Sequence, residues 1–210
     1  MNCPASTSRK RSDPLEIFLN AERFKAAAGC LGALLRENDW RELFVPMHVN
    51  AALALELYLK CLLALKSCQI PPSHHHGKLF SQLPAPYKRS LIRRFREYAK
   101  NDEELIWSHK QDPRYATDLE SVLNDSGNIF ETLRYLYEGG LPLQMRACFT
   151  VTIRFFRDEL IVLQPSWVAS SEVLHSTHIP LTLNPSTKRE ARVSPFGRKS
   201  ITNPPPSSSK

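Results

Sequence analysis

Between Val49 and Leu65 the chain reads VNAALALELYLKCLLAL, an apolar run broken by only two charges, Glu56 and Lys60. A helix that is apolar around its whole circumference persists in water only where other elements cover it, so this run predicts the central helix of a bundle. It approaches the length needed to cross a bilayer. Two charges near its middle argue against that, and no membrane partner is expected. Glu56 and Lys60 stand four apart with the acid first, the favourable order on one helix face. Two readings stay open for them: a solvated pair on a narrow exposed stripe, or a polar cluster inside the bundle, where ionised groups survive only when paired.

The flanking sequence predicts further helices. Asp13-Pro14-Leu15-Glu16 sets a capping acid before a proline at the first helical position, with a glutamate three residues after the cap. A first helix should run from there to about Glu37. Asn38-Asp39-Trp40 and Pro46 mark a turn, and the second helix should span about Met47–Gln69, ended by Pro71-Pro72-Ser73. A turn from His74 to Pro84 leads to a third helix near Tyr87–Lys100. The stretch 101–116 has no clear period and reads as a long loop or a short helix. Thr117-Asp118-Leu119-Glu120 opens a helix closed by Gly139-Gly140, and a last helix fills about Pro142–Gln164. No segment alternates with period two, so the fold class is all-α, with about five helices. Beyond Pro165 the chain is rich in Ser, Thr, Pro and Asn, a composition too polar to offset its ordering entropy. The expected organisation is a tail over 1–12, a helical body over 13–164 and a tail over 165–210.

Charge follows that division. The chain carries +7, of which residues 1–12 hold +3 and residues 165–210 hold +4, while the body has 19 basic and 19 acidic side chains. Basicity that would suggest a nucleic-acid binder therefore sits on the tails. Within the body, Lys88, Arg89, Arg93, Arg94, Arg96 and Lys100 crowd one helix. Arg89, Arg93, Arg94 and Arg96 form either a solvated face or a phosphate-contacting patch. Five cysteines form no C-x-x-C pair and read as buried, reduced thiols of a cytoplasmic protein. The N-terminal residues have no apolar core of the kind a signal peptide carries. His74-His75-His76 are adjacent on a turn and point apart, whereas a zinc site needs ligands that converge. One of them is expected to cap or pack against the turn, and no metal or cofactor is expected. Arg134, at the edge of an apolar stripe and one turn before Glu138, is a candidate partner for Glu56 across the bundle.

Three elements occur in order: NAALALELYLKCLLAL, then His74-x4-Leu79-Phe80-x2-Leu83, then Arg134-Tyr135-Leu136-Tyr137-Glu138. Over residues 45–140 this pattern resembles the HEPN superfamily, small helical domains named for higher eukaryotes and prokaryotes nucleotide-binding. The resemblance implies a helical bundle with a polar cluster of Glu56, Lys60, His74, Arg134, Tyr135 and Glu138. Many members are metal-independent ribonucleases of toxin–antitoxin and phage-defence systems. They use an R-x4–6-H motif near the start of a late helix, usually across a dimer. Here no histidine follows Arg134. The one R-x6-H string, Arg41 to His48, precedes the central helix and contains Pro46. The expected function is that of a non-catalytic HEPN-like domain acting through a homodimer or a partner protein, with RNA or nucleotide contact. The alternative is a ribonuclease with Arg41 and His48 as candidate catalytic residues.

Overall fold

A computed structural model of the chain describes residues 13–38, 41–111, 113, 116–127, 129, 133 and 149–176. All of these lie in one compact unit that ends at Thr177. They form eight α-helices and a short 3-10 turn, with no strand among the described residues. The all-α expectation holds, with more and shorter helices than the five expected. The tails expected over 1–12 and beyond 176 lie outside the described residues.

Helix α1 (Pro14–Asn38) starts where its capping sequence predicts, with the Leu15 N–H donating to Asp13 Oδ1 at 3.0 Å. After the 3-10 turn Arg41–Leu43, α2 (Phe44–Leu65) folds back on α1 to make a helical hairpin. The start of α2 lies three residues earlier than expected. Pro46 falls inside its first turn, where a backbone N–H would have no helical acceptor anyway, so the proline does not break it. Asn50 Nδ2 donates to the Pro46 carbonyl at 2.7 Å. The helix stops at Leu65 and not at Gln69. The Ser67 N–H bonds the Ala64 carbonyl and the Cys68 N–H bonds the Leu63 carbonyl, the paired closure that ends a helix when the next residue turns left-handed. Ser67 takes that conformation, with φ 53°.

The expected turn from His74 to Pro84 contains a short helix, α3 (His76–Ser81). Helix α4 (Ala85–Lys100) follows directly. The aperiodic stretch after it holds α5 (Glu103–Gln111), begun by a Leu105 N–H bond to Asp102 Oδ1 at 3.0 Å. Asp118 caps α6 (Leu119–Asp125) through the Ser121 N–H at 2.9 Å. This helix ends at a Ser126–Gly127 turn instead of continuing to Gly139. Ile129 and Leu133 are helical and buried beyond it.

Helix α7 (Phe149–Leu163) packs on α2 and α4. Helix α8 (Trp167–Ser176) lies beyond Pro165, inside the stretch expected to be a tail. Trp167 is the reason: its ring sits 5.1 Å from that of the buried Phe18. Burial of this large aromatic side chain anchors the short helix to the body.

The middle and C-terminal half of α2 form the centre of the core. Leu55, Tyr58, Leu59, Leu62 and Leu63 are fully buried, covered by Phe18 of α1 and by Phe156 and Leu160 of α7. Phe155 meets Phe95 of α4 edge-on at 5.1 Å. Helix α2 has the length and apolarity to cross a bilayer, but over half of its most apolar window is buried inside the body. The other end of the hairpin differs. From Arg23 to Glu37 and from Glu42 to Asn50 no side chain is buried, and the one buried residue, Gly32, has none. A Cβ at Gly32 would stand 3.1 Å from Met47 Sδ, so the two helices meet closely there.

Candidate functional site

The histidine triplet joins α2, α3 and α6, and each imidazole has a different task. Glu56 on α2 is 5 % exposed. It accepts a bond from Lys60 Nζ at 2.6 Å and faces His74 Nδ1 with both oxygens, at 3.1 and 3.0 Å. A carboxylate only accepts, so Nδ1 of His74 carries the proton in this contact. His75 caps α3, its Nδ1 accepting the Lys78 N–H at 3.3 Å. Its ring lies over Gly127, where any Cβ would come within 2.2 Å of it.

His76 is 2 % exposed and bridges two elements: Nε2 donates to the Ala52 carbonyl at 3.1 Å, and Nδ1 meets the Ser126 hydroxyl at 2.8 Å. Burial drives its pKa down to about 4, against smaller raising effects from the Ala52 carbonyl and Glu56. The imidazole is therefore neutral near pH 7. The expectation that one histidine packs the turn understated the case. The cue for His76 was its place ahead of Leu79 and Phe80 on a buried helical face, which a turn assignment hid.

Of the predicted cluster, the structure unites Glu56, Lys60 and His74 in a triad whose carboxylate is buried and whose imidazole stands at the surface. Arg134, Tyr135 and Glu138 lie outside the described residues. Both Glu56 oxygens already have partners without Arg134. Arg41 lies in the 3-10 turn and His48 in the second turn of α2, both toward the open end of the hairpin. His48 Nδ1 donates to the Phe44 carbonyl of its own helix at 2.7 Å, and its ring stacks on that of Phe44 at 4.1 Å. Burial lowers its pKa, with the Phe44 carbonyl opposing.

The arginines of α4 divide. Arg94 is clamped by Glu159 of α7, Nε at 2.7 Å from one oxygen and Nη2 at 2.5 Å from the other, a bidentate geometry. Arg89, Arg93 and Arg96 are exposed and make no ion pair among the described residues.

A second polar network was not foreseen. Glu22 of α1 is 1 % exposed and takes bonds from the Tyr58 hydroxyl, from Arg157 Nε at 3.1 and 3.3 Å, and from Lys25 Nζ at 3.3 Å. Burial pushes its pKa up, yet these donors together hold it below the usual carboxylate range. Tyr58 is raised in turn by burial and by Glu22. A tyrosine in the middle of an apolar helix was the available signal, because its hydroxyl must find a partner.

The cysteines also depart from expectation. Cys61 is buried, its thiol pushed up to about 12 by burial, but Cys30 is exposed on α1. Among the described residues no three His, Cys, Asp or Glu side chains converge as metal ligands would. No family model matches the chain, and no curated protein or solved structure matches it significantly.

Proposed function

We propose that this chain is a non-catalytic, HEPN-like association domain that pairs with a second copy of itself through the open end of the α1–α2 hairpin. The observation that carries this reading is the absence of any buried side chain from Arg23 to Glu37 and from Glu42 to Asn50, although both segments are largely apolar. Within FKAAAGCLGALL, residues 24–35, the one charge is Lys25, and it is paired with Glu22. Helices this apolar normally have neighbours on every side, whereas among the described residues these two segments meet mainly each other and, through Phe24, Ala28, Val45 and Val49, the edge of the core. A second hairpin with the same surface would complete a four-helix arrangement with an isologous interface. Gly29 and exposed Cys30 leave room for close approach, with nothing within 4 Å of a Cβ at Gly29.

The polar clusters support a structural role in place of a catalytic one. Glu56, Glu22 and His76 each spend their polar atoms on internal partners. The mass in solution tests the reading. Twice 24.0 kDa is expected for the native chain, and the exposed-site changes Cys30→Glu and Phe44→Glu should weaken pairing by about tenfold or more while helicity is retained. A native chain that stays monomeric at the highest attainable concentration overturns it.

One observation favours a second reading, the metal-independent ribonuclease: Arg41 and His48 both fall at this same end. RNA cleavage in the presence of a chelator, abolished by His48→Ala, would establish that reading in place of the first.

A further inference from the structure

Arg89, Arg93 and Arg96 recur at i, i+4 and i+7 and so share one stripe of α4. All three are exposed and none meets a carboxylate among the described residues. Beside the stripe, α4 and α7 enclose an open groove of about 450 Å³. Tyr98 and Phe155, in edge contact at 5.6 Å, form its floor. Val162, 76 % exposed, forms its apolar rim. The Arg94–Glu159 clamp ties the two walls together.

We propose that this groove and the arginine stripe bind an acidic amphipathic helix of a partner protein. Its apolar anchor seats against Tyr98, Phe155 and Val162, and its carboxylates meet Arg89, Arg93 and Arg96. Charge selects this occupant. Lys100 neutralises Glu97 and Arg94 neutralises Glu159, which leaves the three arginines as uncompensated cations on this face. The chain's own tails, at +3 and +4, supply no matching negative charge. The hairpin end of a second copy, with Arg23, Lys25, Arg36 and Arg41 against Glu37, Asp39 and Glu42, carries no excess of negative charge.

An anchor in an apolar slot with charges at the rim is the arrangement by which helices dock in grooves. The rim contributes orientation and rate more than affinity.

The test uses the full chain and a labelled helical peptide with leucine at i, i+3 and i+7 and glutamate between, followed by fluorescence anisotropy. Saturable binding is expected, with none for the same peptide carrying lysine in place of glutamate. Val162→Glu and Arg93→Glu alter exposed side chains only, and each should weaken binding about tenfold. A lysine placed in the peptide opposite position 93 should restore binding to Arg93→Glu. The proposal is overturned by an absence of saturable binding or by affinity that Val162→Glu leaves unchanged. A labelled oligouridylate that binds in preference to the peptide would also overturn it. The mass of the same variants reports hairpin pairing separately, so the two proposals fail independently.

Discussion

Three adjacent histidines with three different environments show how little residue type alone says about chemistry. His74 stands at the surface on a buried carboxylate, His75 ends a helix, and His76 is sealed between Ala52 and Ser126. The sealed one makes stability depend on pH. In the unfolded chain its pKa is 6.5, and in the folded chain about 4. Because the folded value is the lower, the unfolded state binds the extra proton between these limits. Stability is then complete above pH 6.5 and is lost as pH falls toward 4, by about 3 kcal/mol at most. Urea unfolding followed across that window should show the loss, and His76→Gln, which keeps a donor and an acceptor, should flatten it. At Ser67, an L-residue with φ 53° bears a strain that glycine would not. Ser67→Gly is expected to raise unfolding stability by about 1 kcal/mol, read from the shift in denaturant midpoint.

At the scale of elements, capping sequences were legible and helix lengths were less so. Asp13 starts a helix where its spacing predicts, and Asp118 starts one a residue after the Thr117 that the capping-box spacing implies, because a side-chain oxygen at the cap answers a backbone N–H whatever the tertiary surroundings. Pro46 misled because its effect depends on how many turns precede it. The Ser126–Gly127 end of α6 could not be foreseen without His76, which claims the Ser126 hydroxyl. The Glu56–Lys60 pair was visible as a spacing, but its third member, His74, comes from 18 residues away. The Glu22 network is more remote still and joins α1, α2 and α7. Removing one partner of a buried charge leaves the other unsolvated and unpaired. Arg157→Leu should therefore cost about 3 kcal/mol, and Glu22→Gln combined with it should cost well under the sum of the two single losses. Strictly additive losses in a double-mutant cycle would show that the contact contributes nothing.

For the whole molecule, the apolar pattern of α2 was enough to place the core, since burial follows composition more reliably than register does. It was not enough to show that the same hairpin is covered at one end and open at the other. That distinction depends on where α7 and α8 come to rest, which no local pattern encodes. The extension of the body to Trp167 belongs to the same class of surprise. The body's neutrality, read from charge counts, also concealed an uneven surface in which three arginines of α4 make no ion pair among the described residues. The Glu22 network has a consequence for the order in which the molecule can be made. Arg157 lies 135 residues after Glu22. A nascent chain that has closed only the α1–α2 hairpin holds a buried anion without its guanidinium partner, with the Tyr58 hydroxyl and Lys25 left to offset it. The hairpin is thus a provisional structure until α7 emerges, and fragments that stop short of Arg157 should be less stable than the full body.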